Sequence, residues 1–374
     1  MATTKTSPKT INILICGNYG AGNFGDELIL KGLLKVVRQR PRAQIIVTSG
    51  NPAETRRLHG ETIVTCPFVP SSAGSWIKSI FTGKAFQALN AIRKTDLIIF
   101  GGGGLFNEKE SRSIQIWSRQ ASMWKRLKKR AIMVGQSFGE ITQPHHQKII
   151  RDVCASMKKI CVRDTTSKKN LEQLGVKHSI TVLRDSALWL TAEDFGEDVQ
   201  RHQGANNLSH ETFNPYALIS LRTWPGVDHG ELTQKIKELT TYIHDRYHLS
   251  LKFVAMQKGD TCSVENVPHI EPENLDDLWH IFVNSSLVVA MRLHACILAT
   301  LSHKPLLSLS YDAKVRNLLT DLGQGDSITD LRAPIQTWIQ QLQKPKNQLR
   351  ISETTLRADQ HTLLKILTKL IKSI

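Results

Sequence analysis

The chain has 374 residues, of which 40% are hydrophobic, 22% charged and 6% aromatic, and its formal net charge is +16. That length allows about two domains, and no apolar run approaches the ~20 residues that a membrane-spanning helix needs. The positive charge predicts acidic partners, but the few aromatic residues and the lack of a nucleic-acid-binding motif argue against nucleic acid. The six cysteines lack zinc-ligand spacing and residues 1–10 lack the apolar core of a secretory signal, so we expect a cytoplasmic protein without a metal site.

The first half of the chain alternates apolar runs with helical patterns. Strands are predicted at Ile11–Cys16, Ile45–Thr48, Thr62–Thr65, Leu97–Phe100, Ala131–Val134, Ile160–Val162 and Ile180–Leu183. Helices are predicted between them, among others at Glu27–Arg38, Ile114–Lys129, His145–Met157 and Thr165–Leu174. This alternation is typical of a parallel sheet with helices on both faces, which binds ligands at the carboxyl ends of its strands.

A polar stretch, Thr191–Asn214, interrupts the alternation and has the Gly, Asn and acidic content of a linker. After it, strands are predicted at Tyr216–Leu221, Leu251–Met256, Leu287–Ala290 and Leu306–Ser310, and a last helix at Thr354–Ile371. We therefore predict an α/β fold with two Rossmann-like domains that face a cleft. The predicted boundaries are 1–190 for the N-terminal domain, 191–214 for the linker, 215–345 for the C-terminal domain and 346–374 for a closing helix.

Glycine-rich loops follow three of the predicted strands. The first loop carries Gly20, Gly22 and Gly25 at the GxGxxG spacing of a dinucleotide site, with Asp26 and Glu27 in the next helical turn. Those two carboxylates would repel a pyrophosphate, so the loop favours neutral hydroxyls such as those of a sugar. The alternative interpretation of this loop, an ordinary strand–helix turn with acidic capping residues and no ligand, stays open.

The other two loops are Gly101–Gly104, after the strand Leu97–Phe100, and Gly135–Gly139. Because the four consecutive glycines of Gly101–Gly104 have no side chains, a ligand could approach their backbone closely. The alternative is that this segment forms a mobile hairpin without a ligand. Three such loops at one edge of a sheet predict the floor of a binding site.

Cationic residues directly follow three further predicted strands. They are Arg163 after Ile160–Val162, Arg292 and His294 after Leu287–Ala290, and Lys314 after Leu306–Ser310. Guanidinium groups suit bidentate binding of phosphate or carboxylate, and lysine supplies a point charge. A histidine beside an anion tends to stay protonated, so His294 is the candidate general acid. For Arg163 alone, a structural ion pair with Asp164 stays open.

Six segments in this order carry a family resemblance: Gly20 with Asn23-Phe24-Gly25-Asp26-Glu27, Asp96 with Gly101-Gly102-Gly103, Gly135-Gln136 with Gly139, Val162-Arg163-Asp164 with Ser167, Arg292-Leu293-His294, and Ser310-Tyr311-Asp312 with Lys314. Together they resemble the polysaccharide pyruvyl transferase family over residues 11–322. The resemblance implies the two-domain arrangement of GT-B glycosyltransferases. It also implies a transferase that uses phosphoenolpyruvate as donor and no cofactor.

The implied reaction forms a pyruvate ketal on a sugar of a cell-surface polysaccharide or its lipid-linked precursor, and releases phosphate. We expect His294, Arg292 and Asp26 to be catalytic, with Asp26 or Glu27 orienting or deprotonating the acceptor. Substrate contacts are expected at Arg163, Lys314, Gly22, Asn23, Glu27, Gly102 and Gly103.

Three other functions stay open at this stage. A nucleotide-sugar glycosyltransferase would share the architecture. An NADP-dependent reductase would use the GxGxxG loop, with Arg56 and Arg57 on the 2′-phosphate. A non-catalytic protein would bind surface glycans without releasing phosphate.

Two segments combine tryptophan, apolar residues and basic residues as helices in a bilayer interface do: Trp76–Lys94 and Ser113–Arg130. They predict peripheral docking of the N-terminal domain on an anionic membrane, at its cytoplasmic face. The alternative is that both apolar stripes are core faces.

Overall fold

The fold is given by a computed structural model that describes residues 10–108, 112–196, 215–222, 228–262, 264–344 and 353–373. By their contacts, these residues form two units. The first takes the described residues of Met1–Ala21, Ile29–Ser186 and Arg357–Ile374, and the second takes those of Gly22–Leu28 and Ala187–Leu356. Each unit has a parallel sheet with alternating helices, so the predicted two-domain α/β class is confirmed.

The first unit contains a seven-stranded sheet. Its strands are β1 (Ile11–Cys16), β2 (Ala43–Thr48), β3 (Val64–Cys66), β4 (Leu97–Phe100), β5 (Arg130–Gln136), β6 (Lys159–Val162) and β7 (Ile180–Val182). The strand order is β3-β2-β1-β4-β5-β6-β7, so the order reverses between β1 and β4. β4 is buried along its whole length, as expected of a strand that is covered on both faces. The loops after β1 and β4 therefore flank a topological switch point, the usual ligand position in such sheets.

The helices of this unit are α1 (Phe24–Val37, with its first residues in the second unit), α2 (Pro52–His59), α3 (Ala73–Phe81), α4 (Lys84–Lys94), α5 (Ser113–Arg126), α6 (Pro144–Ala155), α7 (Thr165–Gln173) and α13 (Glu353–Lys372). The aromatic side chains of α5 fill the core over β4. The ring of Phe100 lies 4.9 Å from that of Trp124 and 6.0 Å from that of Trp117. The apolar stripe of α5 is therefore a core face, which corrects its prediction as a membrane-docking segment.

The C-terminal helix α13 packs against the first unit. Arg40 Nη1 donates to Thr368 Oγ1 over 2.7 Å, and Arg130 Nη1 donates to the carbonyl oxygen of Leu370 over 3.3 Å. Arg184 forms an ion pair of 3.0 Å with Asp359. The predicted closing helix is thus present, and these polar contacts join it to the N-terminal part of the chain.

The second unit contains six parallel strands: β8 (Tyr216–Ser220), β9 (Ser250–Val254), β10 (His269–Ile270), β11 (Leu287–Ala290), β12 (Leu306–Ser310) and β13 (Ile328–Asp330). Their order is β10-β9-β8-β11-β12-β13. The helices are α8 (His229–Tyr247), α9 (Leu275–Val283), α10 (Leu293–Leu301), α11 (Ala313–Asp321) and α12 (Ile335–Gln343). The core includes Phe253 and Trp338, both fully buried.

The eleven predicted strands are all present, with ends that differ from the predicted ones by at most two residues. The pattern missed β10 and β13, which are edge strands of only two and three residues. Only residues 191–196 of the predicted linker are described. Phe195 among them is buried and stacks on Trp279 at 4.6 Å, so the segment begins as a packed turn. Within the described ranges, no helix has the length and apolar content needed to cross a membrane.

Candidate functional site

Charged and polar side chains follow four neighbouring strands of the second sheet. They are Arg222 after β8, Gln257 and Asp260 after β9, Arg292 and His294 after β11, and Tyr311, Asp312 and Lys314 after β12. The strands β9, β8, β11 and β12 are adjacent and parallel. These side chains therefore share the carboxyl edge of the sheet, where open α/β sheets bind ligands.

Arg292 is held by two partners from the segment after β9. Its Nη1 donates to Gln257 Oε1 over 3.1 Å, and its Nη2 donates to the carboxylate of Asp260. Asp260 is itself fixed, because the backbone amide of Gln257 donates to its second oxygen over 3.0 Å. The Nε of Arg292 is buried and has no hydrogen-bond partner among the described residues. The guanidinium is therefore oriented by two contacts, and its Nε–H can donate to another acceptor.

Helix α10 begins directly at Arg292. Among the described residues no side chain caps this helix, and its first turn holds no acidic residue. The amide groups of a first helical turn carry a positive partial charge and attract anions. The neighbouring α11, by contrast, is capped by Asp312, whose Oδ1 accepts from the Lys314 amide over 3.0 Å. The open positive helix end and the guanidinium thus lie at the same point of the chain.

The loop before α1 reaches His294 within the second unit. The amide of Phe24 donates to the Met256 carbonyl over 2.9 Å, and the amide of Lys258 donates to the Gly22 carbonyl over 3.2 Å. A Cβ atom added at Gly25 would lie 2.8 Å from Cγ of His294 and closer still to Nδ1. Only glycine leaves room for the imidazole here, so the Asn-Phe-Gly-Asp-Glu segment and the Arg-Leu-His segment are in direct contact.

Asn23 organises the acidic end of this loop. Its Oδ1 accepts from the amide of Gly25 over 3.0 Å, and its Nδ2 donates to Asp26 Oδ2 over 2.9 Å. Asp26 and Glu27 are both buried. The predicted carboxylates therefore occupy the same short helical turn as the glycine that contacts His294. The segment that holds Gly22, Asn23, Asp26 and Glu27 thus lies in the same unit as Arg292 and His294. Their expected roles in substrate binding and catalysis stay predictions.

Arg222 and Tyr311 form a pair at the same edge. Arg222 Nη1 donates to the Tyr311 hydroxyl oxygen over 3.2 Å. Burial raises the pKa of the Tyr311 hydroxyl, and the nearby charge of Arg222 opposes the rise. The sequence pattern did not single out Arg222, although it follows a buried strand just as Arg163 and Arg292 do. It also missed Gln257 and Asp260, which lie in a segment that reads as an ordinary turn.

In the first unit, Arg163 lies in a buried ion network. Its Nη1 donates to Asp185 Oδ2 over 3.3 Å, and its Nε lies 3.5 Å from Asp164 Oδ2. Asp164 also caps α7 by accepting from the Ser167 amide over 2.6 Å. The Nη2 of Arg163 is buried without a hydrogen-bond partner among the described residues. Two carboxylates thus balance this guanidinium, and its expected role in donor binding stays a prediction.

The glycines after β4 are packed against the last residues of β5. A Cβ atom added at Gly102 would lie 2.8 Å from the Gly135 carbonyl oxygen. The amide of Gly103 donates to that same oxygen over 3.3 Å, and Gln136 Nε2 donates to the Gly101 carbonyl. Close approach of two backbones therefore accounts for glycine at 102. Substrate contacts at Gly102 and Gly103 stay a prediction.

Comparison with known families adds the decisive observation. The sequence model of a family described as polysaccharide pyruvyl transferase matches residues 23–313, which spans the loop at Asn23, the glycines after β4, Arg163, Arg292 and His294. The chain belongs to the polysaccharide pyruvyl transferase family. The family places the chain among enzymes that act on saccharides. A comparison with curated proteins gave no match.

Solved structures share the fold of this family member at low sequence identity. UDP-GlcNAc 2-epimerase from Methanocaldococcus jannaschii is 15% identical, with a TM-score of 0.64, and the match covers 96% of this chain and 100% of that one. The Neisseria meningitidis epimerase, solved bound to UDP-GlcNAc, is 12% identical with a TM-score of 0.63 over 96% of this chain and 100% of that one. The Rickettsia bellii epimerase is 12% identical, with a TM-score of 0.61 over 98% and 97%. These likenesses show the GT-B-like class of fold.

The site residues expected from the sequence fall into both units of this chain. Asn23, Asp26, Arg292, His294 and Lys314 belong to the second unit. Arg163, Gly102 and Gly103 belong to the first. Across the described ranges, no group of three or more His, Cys, Asp or Glu side chains is placed to hold a metal ion.

Proposed function

We propose that the protein transfers the enolpyruvyl unit of phosphoenolpyruvate to a saccharide and forms a pyruvate ketal with release of phosphate. The proposed acceptor is a sugar of a cell-surface polysaccharide or of its lipid-linked precursor. The observation that carries the proposal is the contact of the Gly25 loop with His294, beside Arg292, in a member of this family. It supports the proposal because the helical turn that carries Asp26 contacts His294, and Arg292 lies two residues before His294.

The anion-binding part of the proposal rests on Arg292 and on the first turn of α10. Phosphoenolpyruvate carries a phosphate and a carboxylate, and each needs donors that stay in place during the reaction. Arg292 is fixed by Gln257 and Asp260 and retains its Nε donor. Lys314 and Arg222 add positive charge from the adjacent strands. We propose that Arg163 also contacts phosphoenolpyruvate, through its Nη2.

The proton transfers are assigned to His294 and Asp26. His294 gives a proton to the methylene carbon, which becomes a methyl group and leaves an oxocarbenium-like centre at C2. One sugar hydroxyl attacks C2 and loses its proton, and the C2–O bond to phosphate breaks. A second hydroxyl then closes the ketal and loses its proton. Asp26, held by Asn23, is the group that we assign to orient and deprotonate the acceptor. In total, a diol and phosphoenolpyruvate give the ketal and phosphate.

A nucleotide-sugar glycosyltransferase is the alternative, because the structural neighbours include proteins solved with UDP-GlcNAc. That likeness concerns the fold, whereas the family match concerns the sequence of residues 23–313. The two functions differ in the leaving group, which is inorganic phosphate in one and a nucleotide in the other.

The test is phosphate release from phosphoenolpyruvate across a panel of soluble and lipid-linked saccharides, followed by ³¹P NMR. The proposal expects acceptor-dependent release of one phosphate for each ketal formed. Matched incubations with nucleotide sugars measure the alternative. Nucleotide release from a nucleotide sugar, with phosphoenolpyruvate untouched in the presence of every acceptor, would contradict the proposal.

A further inference from the structure

Helix α3 carries large apolar side chains that the first unit leaves uncovered. None of its nine residues is buried. Ile77 is 59% exposed, Ile80 is 50% exposed and Phe81 is 87% exposed, and Phe86 at the start of α4 is 65% exposed. These four residues, here termed the α3–α4 face, are four of the seven large apolar side chains exposed in the described part of the chain. The exposure is thus concentrated within ten residues.

The α3–α4 face is separate from the face that packs on the core. On α4, the buried residues are Ala85, Ala88 and Ile92, whereas Phe86 points away from them. On α3, Trp76 is the residue that packs against the core cluster. The core contacts of both helices are therefore already made by other residues, and the exposed set needs a different partner.

The two helices form a well-defined hairpin. Ser72 and Ser75 form a capping box at the start of α3. The chain turns at Gly83, which has a left-handed φ of 71°, and the Gln87 amide donates to the Gly83 carbonyl over 3.1 Å. Phe81 and Phe86 flank this turn, so both aromatic rings stand near the tip of the hairpin.

The charged residues of the segment that forms the hairpin have a single sign. The sequence has no Asp or Glu between Thr62 and Thr95, whereas Lys78, Lys84, Arg93 and Lys94 lie within it, and all four are exposed. Lys129 Nζ donates to the Thr95 carbonyl over 2.8 Å, which brings the basic end of α5 to the end of α4. Apolar side chains rimmed by cations are the pattern of a surface that enters the interface of an anionic bilayer.

We propose that the α3–α4 face docks the protein on an anionic lipid bilayer. Phe81 and Phe86 enter the interface between headgroups and acyl chains, and the surrounding lysines and arginines contact lipid phosphates. Two copies of the chain that met through this face would bring at least four cations from each copy together without a carboxylate from residues 62–95 to balance them. The charge therefore favours lipid over self-association.

The first test is co-sedimentation of the full chain with vesicles of phosphatidylcholine, with and without 30% phosphatidylglycerol. The proposal expects partition only onto anionic vesicles, weakening as salt rises. The double variant Phe81→Ser/Phe86→Ser should reduce the partition coefficient by at least about tenfold. Each of Lys78→Gln and Lys84→Gln should reduce it by about fivefold. Tyr247→Ser, an exposed aromatic on α8, and Lys168→Gln/Lys169→Gln on α7 are the matched controls, and they should leave it unchanged.

A fluorophore gives a second readout that is independent of affinity. All six native cysteines are buried, so an environment-sensitive dye on Thr82→Cys reports on the hairpin tip. Its emission should shift to the blue on anionic vesicles, whereas the same dye on Lys169→Cys should not shift.

Failure to bind anionic vesicles at low salt would overturn the proposal. Binding that the phenylalanine substitutions leave unchanged would also overturn it, and so would controls that weaken binding as much as those substitutions do. A concentration-dependent dimer that Phe81→Ser/Phe86→Ser abolishes would assign the face to a second copy instead. Turnover of a soluble acceptor should be the same in this variant and the unchanged chain. Loss of docking and failure of the proposed reaction are therefore separately observable.

Discussion

Alanine at Gly25 would add one methyl group in the position that the imidazole of His294 occupies. The added Cβ would lie 2.8 Å from Cγ and 3.0 Å from Cε1 of the ring, both well inside van der Waals contact. Forcing an extra carbon into a packed site costs ~1–3 kcal/mol of folding free energy. Because alanine favours a helix over glycine by ~1 kcal/mol, the net loss should be ~0–2 kcal/mol.

The effect on turnover should be larger than the effect on stability. A displacement of about 1 Å of a catalytic group reduces a rate by about 10²-fold. Gly25→Ala should therefore lower kcat by about 10²-fold while phosphoenolpyruvate binding, which depends on Arg292, is largely kept. Gly325→Ala is the matched control in the same unit, since a Cβ atom there meets no other atom within 4 Å.

Urea unfolding of four chains isolates the contact: the unchanged chain, Gly25→Ala, His294→Ala and the double variant. Once the imidazole is removed, the methyl group at position 25 has room, and the substitution should become neutral or stabilising by up to ~1 kcal/mol. An equal cost of Gly25→Ala in both backgrounds would refute the contact and, with it, the position assigned to the acid.

Three further predictions concern His294 as the general acid, Arg292 as the anion-binding residue, and the stability of the fold at low pH. His294→Gln should keep donor affinity and lose ~10²–10⁴-fold in kcat, with His244→Gln on α8 as control; unchanged turnover would remove His294 from the chemistry. Arg292→Ala should raise the donor Kd by at least about tenfold, measured by calorimetry, whereas Arg316→Ala, in an exposed ion pair, should not. Burial would raise the pKa of Glu108, but hydrogen bonds from Thr142, His146 and Gln143 outweigh it and hold the pKa at about 2. Its stabilisation is thus present above the unfolded value of about 4.5 and is lost as pH falls towards 2, so Glu108→Gln should flatten acid unfolding in that window.

The strand ends were the most predictable part of the site. A buried parallel strand is an apolar run, and the residue after it must lie at the carboxyl edge, so Arg163 and Arg292 could be placed from the sequence. The pattern could not say what each guanidinium contacts. Arg163 is balanced by Asp185, which follows a different strand, and Arg292 is held by Asp260, which lies in an unremarkable turn.

The periodicity of the sequence could not predict long-range contacts or burial, for a physical reason. A helical period identifies an apolar stripe and does not identify what covers it. The stripes of α3 and α5 look alike in sequence, yet Trp124 is buried in the core and Phe81 is exposed. The contact of Gly25 with His294 joins residues far apart in the chain, and only the family resemblance linked the two segments.

In the proposed reaction, phosphoenolpyruvate is protonated at its methylene carbon and its C2 becomes a ketal carbon. The most direct measurement is the reaction in D₂O with [3-¹³C]phosphoenolpyruvate and a saccharide acceptor, followed by ¹³C NMR of the product. We expect one deuterium in each ketal methyl group and one phosphate released for each ketal. A modified saccharide that lacks the labelled methyl group would contradict the proposed reaction. A saccharide modified while phosphoenolpyruvate stays intact would contradict it as well.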